Sequence, residues 1–324
     1  MIKAPFKFTP ILKEKIWGGN KLKSLLNKPS NTKNIGESWE ISDVENDVSI
    51  VSSGKDKGKT LTELITQYKE DLVGEKIYNT FGNKFPLLIK FIDAKESLSI
   101  QLHPNDELAK KRHNSFGKTE MWYVMQADDD AKLIVGFKKK VNSEIYQQHL
   151  SEKKLLAILN EEKVSHGDVY FIPTGRVHAI EAGVLLAEIQ QTSDITYRIY
   201  DWDRQDKQGN HRDLHTKHAL EALDFSVKKN YKTTYNAQLN KTSPIVDCPF
   251  FTTNILLIDG KIDKNHSQKD SFIIYMCVKG NVTFANTNFK MDLNYGETIL
   301  IPNCITKYEI SSQEESELLE VYIN

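Results

Sequence analysis

The chain has 324 residues, more than one small core requires, so two domains or one elaborated domain is expected. Hydrophobic residues at 39% and aromatics at 10% suffice for a packed globule, and 43 basic against 44 acidic residues leave no overall field to hold nucleic acid or an anionic membrane. No apolar run reaches the length of a signal peptide core or a membrane span, which predicts a cytoplasmic protein with neither nucleic acid nor membrane as partner.

The first element with a clear start lies after "GKDKGK", where Thr60 and Glu63 form a capping box ahead of Leu61, Leu64, Ile65 and Tyr68 and so predict a helix. "FPLLIKFI" predicts a strand. "LSIQLH" (98–103) alternates: Leu98, Ile100 and Leu102 form an apolar face, and Ser99, Gln101 and His103 form a polar one. The polar face needs either solvent or something that takes polar ligands. Further strands are expected at "EMWYVMQ", "KLIVGF", "GDVYFIP", "VLLAEIQQ" and "DITYRIYD", with a helical island near 143–160 broken at Ser151 and a third at 214–225. The stretch 226–243 is polar and poor in apolar residues, and it divides the chain into 1–235 and 236–324. Beyond it, "FTTNILLI", "FIIYMCV", "NVTFA" and "ETILIP" again read as strands. Cys248, Cys277 and Cys304 are odd in number and lack CxxC spacing, so reduced and mostly buried thiols are expected.

An internal repeat organises these elements. "HGDVYFIPTGRVHAI" (166–180) and "YGETILIPNCITKYEI" (295–310) align without gaps at an offset of 129, pairing Gly167 with Gly296, Asp168 with Glu297, Ile172 with Ile301 and Pro173 with Pro302. A turn glycine, an acid, a strand and Ile-Pro resemble the second motif of the cupin barrel, a double-sheet jelly roll. Two copies imply a mostly β protein of two cupin barrels with a few short helices. The copies differ where the metal-binding histidine of a cupin falls: His178 in the first corresponds to Lys307 in the second, so the C-terminal barrel is expected to be degenerate and metal-free.

In a cupin the first motif supplies two ligands from one strand and a Glu from the next, and the second supplies a His. The matching positions are Gln101, His103, Glu120 and His178. Two imidazoles, a carboxylate and an amide oxygen suit Zn²⁺, one per chain, with room for water or substrate. One carboxylate leaves a net charge near +1, suited to stabilising a developing oxyanion. Two His and a carboxylate also make the Fe²⁺ triad of oxygenases, which leaves the metal open at this point.

"IWGG" (16–19), "GESWEIS" (36–42), "LSIQLHPND" (98–106), "GKTEMWYV" (117–124), "GDVYFIPTGRVHAI" (167–180) and "DITYRIYDWDR" (194–204) together resemble the class I mannose-6-phosphate isomerases, in a short form without a large helical domain. The resemblance implies interconversion of mannose 6-phosphate and fructose 6-phosphate through a cis-enediol, with zinc on the same four residues. It also implies Arg198 as the catalytic arginine, Asp194 and Glu188 as carboxylates serving as base or its support, and Lys118 on the side of Glu120. Ser99, Lys90 and Arg204 match the phosphate end, with Trp17 at the substrate. Lys118 and Arg204 read equally well as solvated residues, and Trp17 as packing. Some longer relatives have a histidine before the lysine of the K-x-E motif; here that residue is Gly117. His215 and His218, three apart on one helix, lack a third donor and read as surface or capping groups. Two other classes stay in view: an Fe²⁺ bicupin dioxygenase and a sugar-binding protein without turnover.

Overall fold

The computed structural model describes residues 2–206 and 208–324. The expected mostly β architecture is present. In the N-terminal part a five-stranded sheet runs Leu159–Lys163, Lys132–Phe137, His178–Ile180, Ile100–Leu102, Tyr197–Tyr200. A seven-stranded sheet runs Lys232–Thr233, Val169–Ile172, Glu120–Ala127, Val184–Gln191, Leu87–Ala94, Ile11–Gly19, Ile35–Ile41. The C-terminal part is one seven-stranded sheet dominated by two long strands, Thr252–Asn265 and Lys307–Tyr322. Among the described residues no helix is long and apolar enough to cross a membrane.

Every residue of Leu87–Ala94 and Val184–Gln191 is buried, because both faces of the larger sheet are covered. Side chains alternate across a strand, so the two faces meet different surroundings. Leu87, Ile89, Phe91, Met121, Tyr123, Leu185, Ala187 and Ile189 join an apolar cluster that continues into Ile255, Ile274, Met276 and Leu319 of the C-terminal sheet. The opposite face carries Ile92, Trp122 and Leu186, which pack with Leu133, Val135 and Ile180 of the smaller sheet. That second face also carries Lys90, Glu120 and Glu188 between the sheets. Burying them among apolar neighbours is costly without partners, and this is where the site lies.

The repeat is structural as well as sequential. Gly167 and Gly296 both have positive φ, 86° and 79°, a turn conformation natural to glycine. The Asp168 carboxylate accepts the Ser165 N–H at 3.0 Å, and Glu297 accepts the Asn294 N–H at 2.8 Å, the same offset of three in each copy. Strand registers extend the equivalence. Ile172 opposes Glu120 as Ile301 opposes Ile273, and His178 opposes Gln101 as Lys307 opposes Asn265. The C-terminal counterparts of Gln101, Glu120 and His178 are therefore Asn265, Ile273 and Lys307.

The capping box forms: Thr60 Oγ1 accepts from the Glu63 N–H, and Glu63 Oε2 accepts from the Thr60 N–H, opening helix Leu61–Tyr68. The second island is one helix, Ser143–Ser151, followed by a 3₁₀ turn, Leu155–Ile158, since the chain then enters the sheet at Leu159. The third spans Thr216–Ala222. Helices Glu70–Val73, Glu75–Phe81 and Asp106–His113 were not expected from the sequence; the last buries only Ala109, so it has no apolar period to read. The cysteines are free, but only Cys277 is buried: Cys248 is partly exposed and Cys304 exposed, because the latter sits in the turn after Ile301.

Candidate active site

Between the two sheets lies a cleft of about 310 Å³. Its lining includes Ser99 and Gln101 from the polar face of "LSIQLH", His178 and Arg198 from the neighbouring strands, Lys90 and Glu188 from the larger sheet, and Trp17, Lys118 and Asp194 from the flanks. Ile100 and Leu102 turn the other way into a separate apolar cluster, while Leu98, expected with them, precedes the strand and lines the cleft instead.

At the cleft's inner end His103, Glu120 and His178 are all buried, and their donor atoms lie within 4.8 Å of one another. Glu120 Oε2 is 3.5 Å from His103 Nε2, and Glu120 Oε1 is 3.5 Å from His178 Nε2. Each imidazole is oriented by its far nitrogen: His103 Nδ1 donates to the Ile195 carbonyl at 2.8 Å and His178 Nδ1 to the Arg176 carbonyl at 2.9 Å. That tautomer aims both Nε2 lone pairs inward. Burial pushes both imidazoles below their usual range, His178 to about 3, so they stay neutral and able to ligate. His178 Nε2 and Glu120 Oε2 are buried without a hydrogen-bond partner. The Lys118 ammonium stands 3.2 Å from Glu120 Oε2 and 3.3 Å from His103 Nε2, so the donor set already attracts positive charge. An orphaned imidazole nitrogen, and a carboxylate oxygen answered only by the Lys118 ammonium, fit a bound metal ion. Gln101 shares the register position of His178 across the strands, and its Oε1 accepts from Ser99 Oγ at 3.1 Å.

The other charged groups are arranged in pairs. Glu188 accepts from Lys90 Nζ at 3.0 Å on one oxygen and from Trp122 Nε1 at 2.9 Å on the other. Burial alone would raise its pKa, but Lys90 and Lys118 outweigh it and hold Glu188 ionised below its usual range. Glu120 moves the opposite way, since burial there exceeds the pull of Lys118. Arg198 Nε donates to Ser99 Oγ at 3.3 Å.

Of the residues expected at the phosphate end, Ser99 and Lys90 line the cleft and Arg204 does not. Arg204 is turned onto Asp201, bonding its Oδ1 at 2.7 Å, and Arg212 lines the cleft instead. By alternation "DITYRIYD" would put Asp194, Thr196, Arg198 and Tyr200 on one face; the first three line the cleft, but the register shifts between Arg198 and Tyr200, and Tyr200 packs on Trp202 at 5.5 Å. Trp17 is both buried and cleft-lining. His215 and His218 both turn toward the strand of Arg198. His215 Nδ1 accepts the Arg198 N–H at 3.2 Å, and His218 lies 5.5 Å from the Tyr197 ring.

Sequence reasoning missed Lys15, Glu37 and Trp39, all in the cleft lining. Their signal was present: Glu37 and Trp39 alternate in "GESWEIS", and the Trp39 Nε1 donates to Glu37 at 2.6 Å. Gly117 has a steric cause. A Cβ there would come 2.7 Å from the Asp106 nitrogen, and the Gly117 N–H donates to Asp106 Oδ1 at 2.7 Å, so a histidine is excluded without moving the turn.

A cleft between two β-sheets, with a buried His–Glu–His set at its inner end that fits a metal ion and with lysines, arginines and carboxylates along its wall, has the arrangement of a cupin. Comparison with known proteins makes this specific. Residues 5–132 match the family model for the phosphomannose isomerase type I catalytic domain, and residues 240–323 match the mannose-6-phosphate isomerase cupin domain. The chain is 33% identical over 303 residues to the mannose-6-phosphate isomerase of Streptococcus mutans, covering 93% of each, and 32% identical over 319 residues to that of Bacillus subtilis, covering 97% of this chain and 98% of the relative. The crystal structure of the mannose 6-phosphate isomerase from Bacillus subtilis superposes with a TM-score of 0.89 at 30% identity, over 99% of this chain and all of that one. The chain belongs to the type I phosphomannose isomerase family and is an isomerase.

Proposed function

We propose that the protein interconverts mannose 6-phosphate and fructose 6-phosphate by proton transfer between C2 and C1 through a cis-enediol, with Zn²⁺ held by Gln101, His103, Glu120 and His178. The observation that carries this reading is that the buried His–Glu–His set opens through His178 and Lys118 onto the cleft that Arg198 and Lys90 also line. Bound zinc would supply Lewis acidity toward the sugar oxygens. The chain's own groups supply the rest. Arg198, ionised at any working pH, faces the cleft where enediolate charge would develop. Trp17 and Trp122 wall off water.

Two carboxylates compete for the role of base. Glu188 has both oxygens engaged and is buried between cations, which weakens it as a proton acceptor. Asp194 is exposed on the cleft lining, so we assign it the proton transfer and give Glu188 the task of fixing Lys90 and Trp122. Asp194→Asn should lower kcat by about 100-fold, the lower end for loss of a general base, while leaving metal content unchanged. A larger kcat loss in Glu188→Gln, with Asp194→Asn near wild type, would reverse the assignment.

The unit 236–324 is proposed to hold no metal. Ile273 and Lys307 stand at the Glu120 and His178 positions, and neither can donate to a cation as they do. Its work is to cover the outer apolar face of the larger sheet, where the shared cluster lies and where Tyr123 donates to Glu317 at 2.6 Å. The activity is tested by a coupled assay carrying fructose 6-phosphate through phosphoglucose isomerase to a dehydrogenase. Turnover of mannose 6-phosphate that falls on chelation and returns with zinc is expected; full turnover by metal-free protein would rule the mechanism out.

A further inference from the structure

At the outer end of the cleft three guanidinium groups gather round one buried carboxylate. Asp201 accepts from Arg204 Nη2 on Oδ1 at 2.7 Å, from Arg212 Nε on Oδ2 at 2.7 Å, and from Arg212 Nη2 on Oδ1. Arg198 is the third. Burial lowers its pKa first, and the charges of Arg212 and Arg204 lower it against the opposite pull of Asp201 and Asp213. Three arginines against Asp201 and the exposed Asp213 leave a surplus of positive charge. A dianion placed among them would relieve it.

The two arginines bonded to Asp201 are not equivalent. Arg204 lies beside the cleft and Arg212 lines it. With Nε and Nη2 on Asp201, Arg212 keeps the two N–H groups of Nη1, for which no partner exists among the described residues. The segment that carries it is stitched to the strand of Arg198 by three bonds. The His215 N–H donates to the Arg198 carbonyl at 2.7 Å, the Arg198 N–H donates to His215 Nδ1 at 3.2 Å, and Arg198 Nη1 donates to the Asp213 carbonyl at 3.0 Å. These bonds tie the backbone next to Arg212 to the strand of Arg198, while Asp201 holds the Arg212 guanidinium itself.

We propose that Arg212, rather than Arg204, receives the phosphate of the substrate, that Asp201 is its positioning residue, and that His215 holds Arg212's segment in register with Arg198. This rests on the phosphosugar reading for the identity of the substrate, but not for the existence of an anion site. An Arg held by a carboxylate on one edge presents the other edge as a planar donor to a phosphate oxygen.

Two measurements on the full chain test it: steady-state kinetics with mannose 6-phosphate, and calorimetric titration with inorganic phosphate. Arg212→Ala should raise KM and weaken phosphate binding each on the order of tenfold, the scale of one charge-assisted hydrogen bond, with kcat within about threefold. Arg212→Lys should recover part of the loss, and it serves as the test variant if the alanine protein folds poorly. Arg204→Ala should raise KM less than Arg212→Ala. Asp201→Asn should weaken phosphate binding in the wild-type background and add little on top of Arg212→Ala, as coupled groups do. Unchanged KM and phosphate affinity in Arg212→Ala, or a larger effect from Arg204→Ala, would overturn the assignment; additive losses in the double variant would remove Asp201 from it. If the wild-type protein fails to turn over mannose 6-phosphate, the phosphosugar reading falls. The phosphate titration of wild type against Arg212→Ala still decides whether Arg212 forms an anion site.

Discussion

Alanine at His178 is expected to bring bound metal down to background and activity down with it. His178 is buried, its Nδ1 is committed to the Arg176 carbonyl, and its Nε2 faces Glu120 with no hydrogen-bond partner. Removing the ring leaves a buried carboxylate and one imidazole, with Lys118 the nearest cation. The loss in affinity should exceed the roughly 10–100-fold seen when only an outer hydrogen-bond partner of a ligand is removed. Elemental analysis of purified wild type should give about one zinc per chain, and His178→Ala and His103→Ala should each give close to none. A stoichiometric ion surviving in both variants would place the metal elsewhere. The assay does not depend on turnover, so it separates loss of metal from loss of chemistry.

Arg198→Ala should keep its zinc and its fold while kcat falls by about two to three orders of magnitude, the scale for removing a preorganised stabiliser of developing negative charge. Arg198 is no metal donor, and its backbone is held at both N–H and C=O by His215, which the substitution leaves in place. Its side chain reaches the cleft with Ser99 and the Asp213 carbonyl as supports. Charge that appears only in the enediolate makes kcat the affected constant. A group that binds ground and transition states alike would move KM alone. Lysine at 198 should restore a fraction, because an ammonium lacks the planar fork. An unchanged kcat in the alanine variant would take Arg198 out of the chemistry.

Much of this site was legible because its residues sit on strands, where a period of two sorts them into faces. "LSIQLH" separated Ser99 and Gln101 from Ile100 and Leu102, and Lys132–Phe137, Val184–Gln191 and Asn281–Ala285 have the bounds their patterns suggested. The repeat marked His178, 58 positions beyond Glu120, something periodicity alone could not do. What escaped was set by packing. The bulge that turns Tyr200 out of the cleft follows from register, not composition. Arg204 and Arg212 are both arginines on irregular backbone, and only the fold decides which faces inward. Helix Asp106–His113 is stabilised by its Asn105 cap and by acids in its first turn and bases in its last, with almost no apolar face.

The carboxylate held by Lys90 and Trp122 has a twin. Glu320 opposes Tyr275 and Asn254 in the C-terminal sheet just as Glu188 opposes Trp122 and Lys90; Tyr275 donates to it at 2.6 Å, Asn254 at 3.1 Å, and Lys264 supplies the cation. The two halves of the chain thus repeat one strand plan, and they differ unevenly along it. The buried acid bracketed by an aromatic donor and a cation recurs in a half with isoleucine and lysine at the positions of Glu120 and His178, so the arrangement does not depend on that donor set. The positions at which the halves differ in donor chemistry, Gln101 against Asn265, Glu120 against Ile273 and His178 against Lys307, are the ones for which a ligand role is proposed. On that reading one half carries the chemistry at a few side chains and the other serves as its wall.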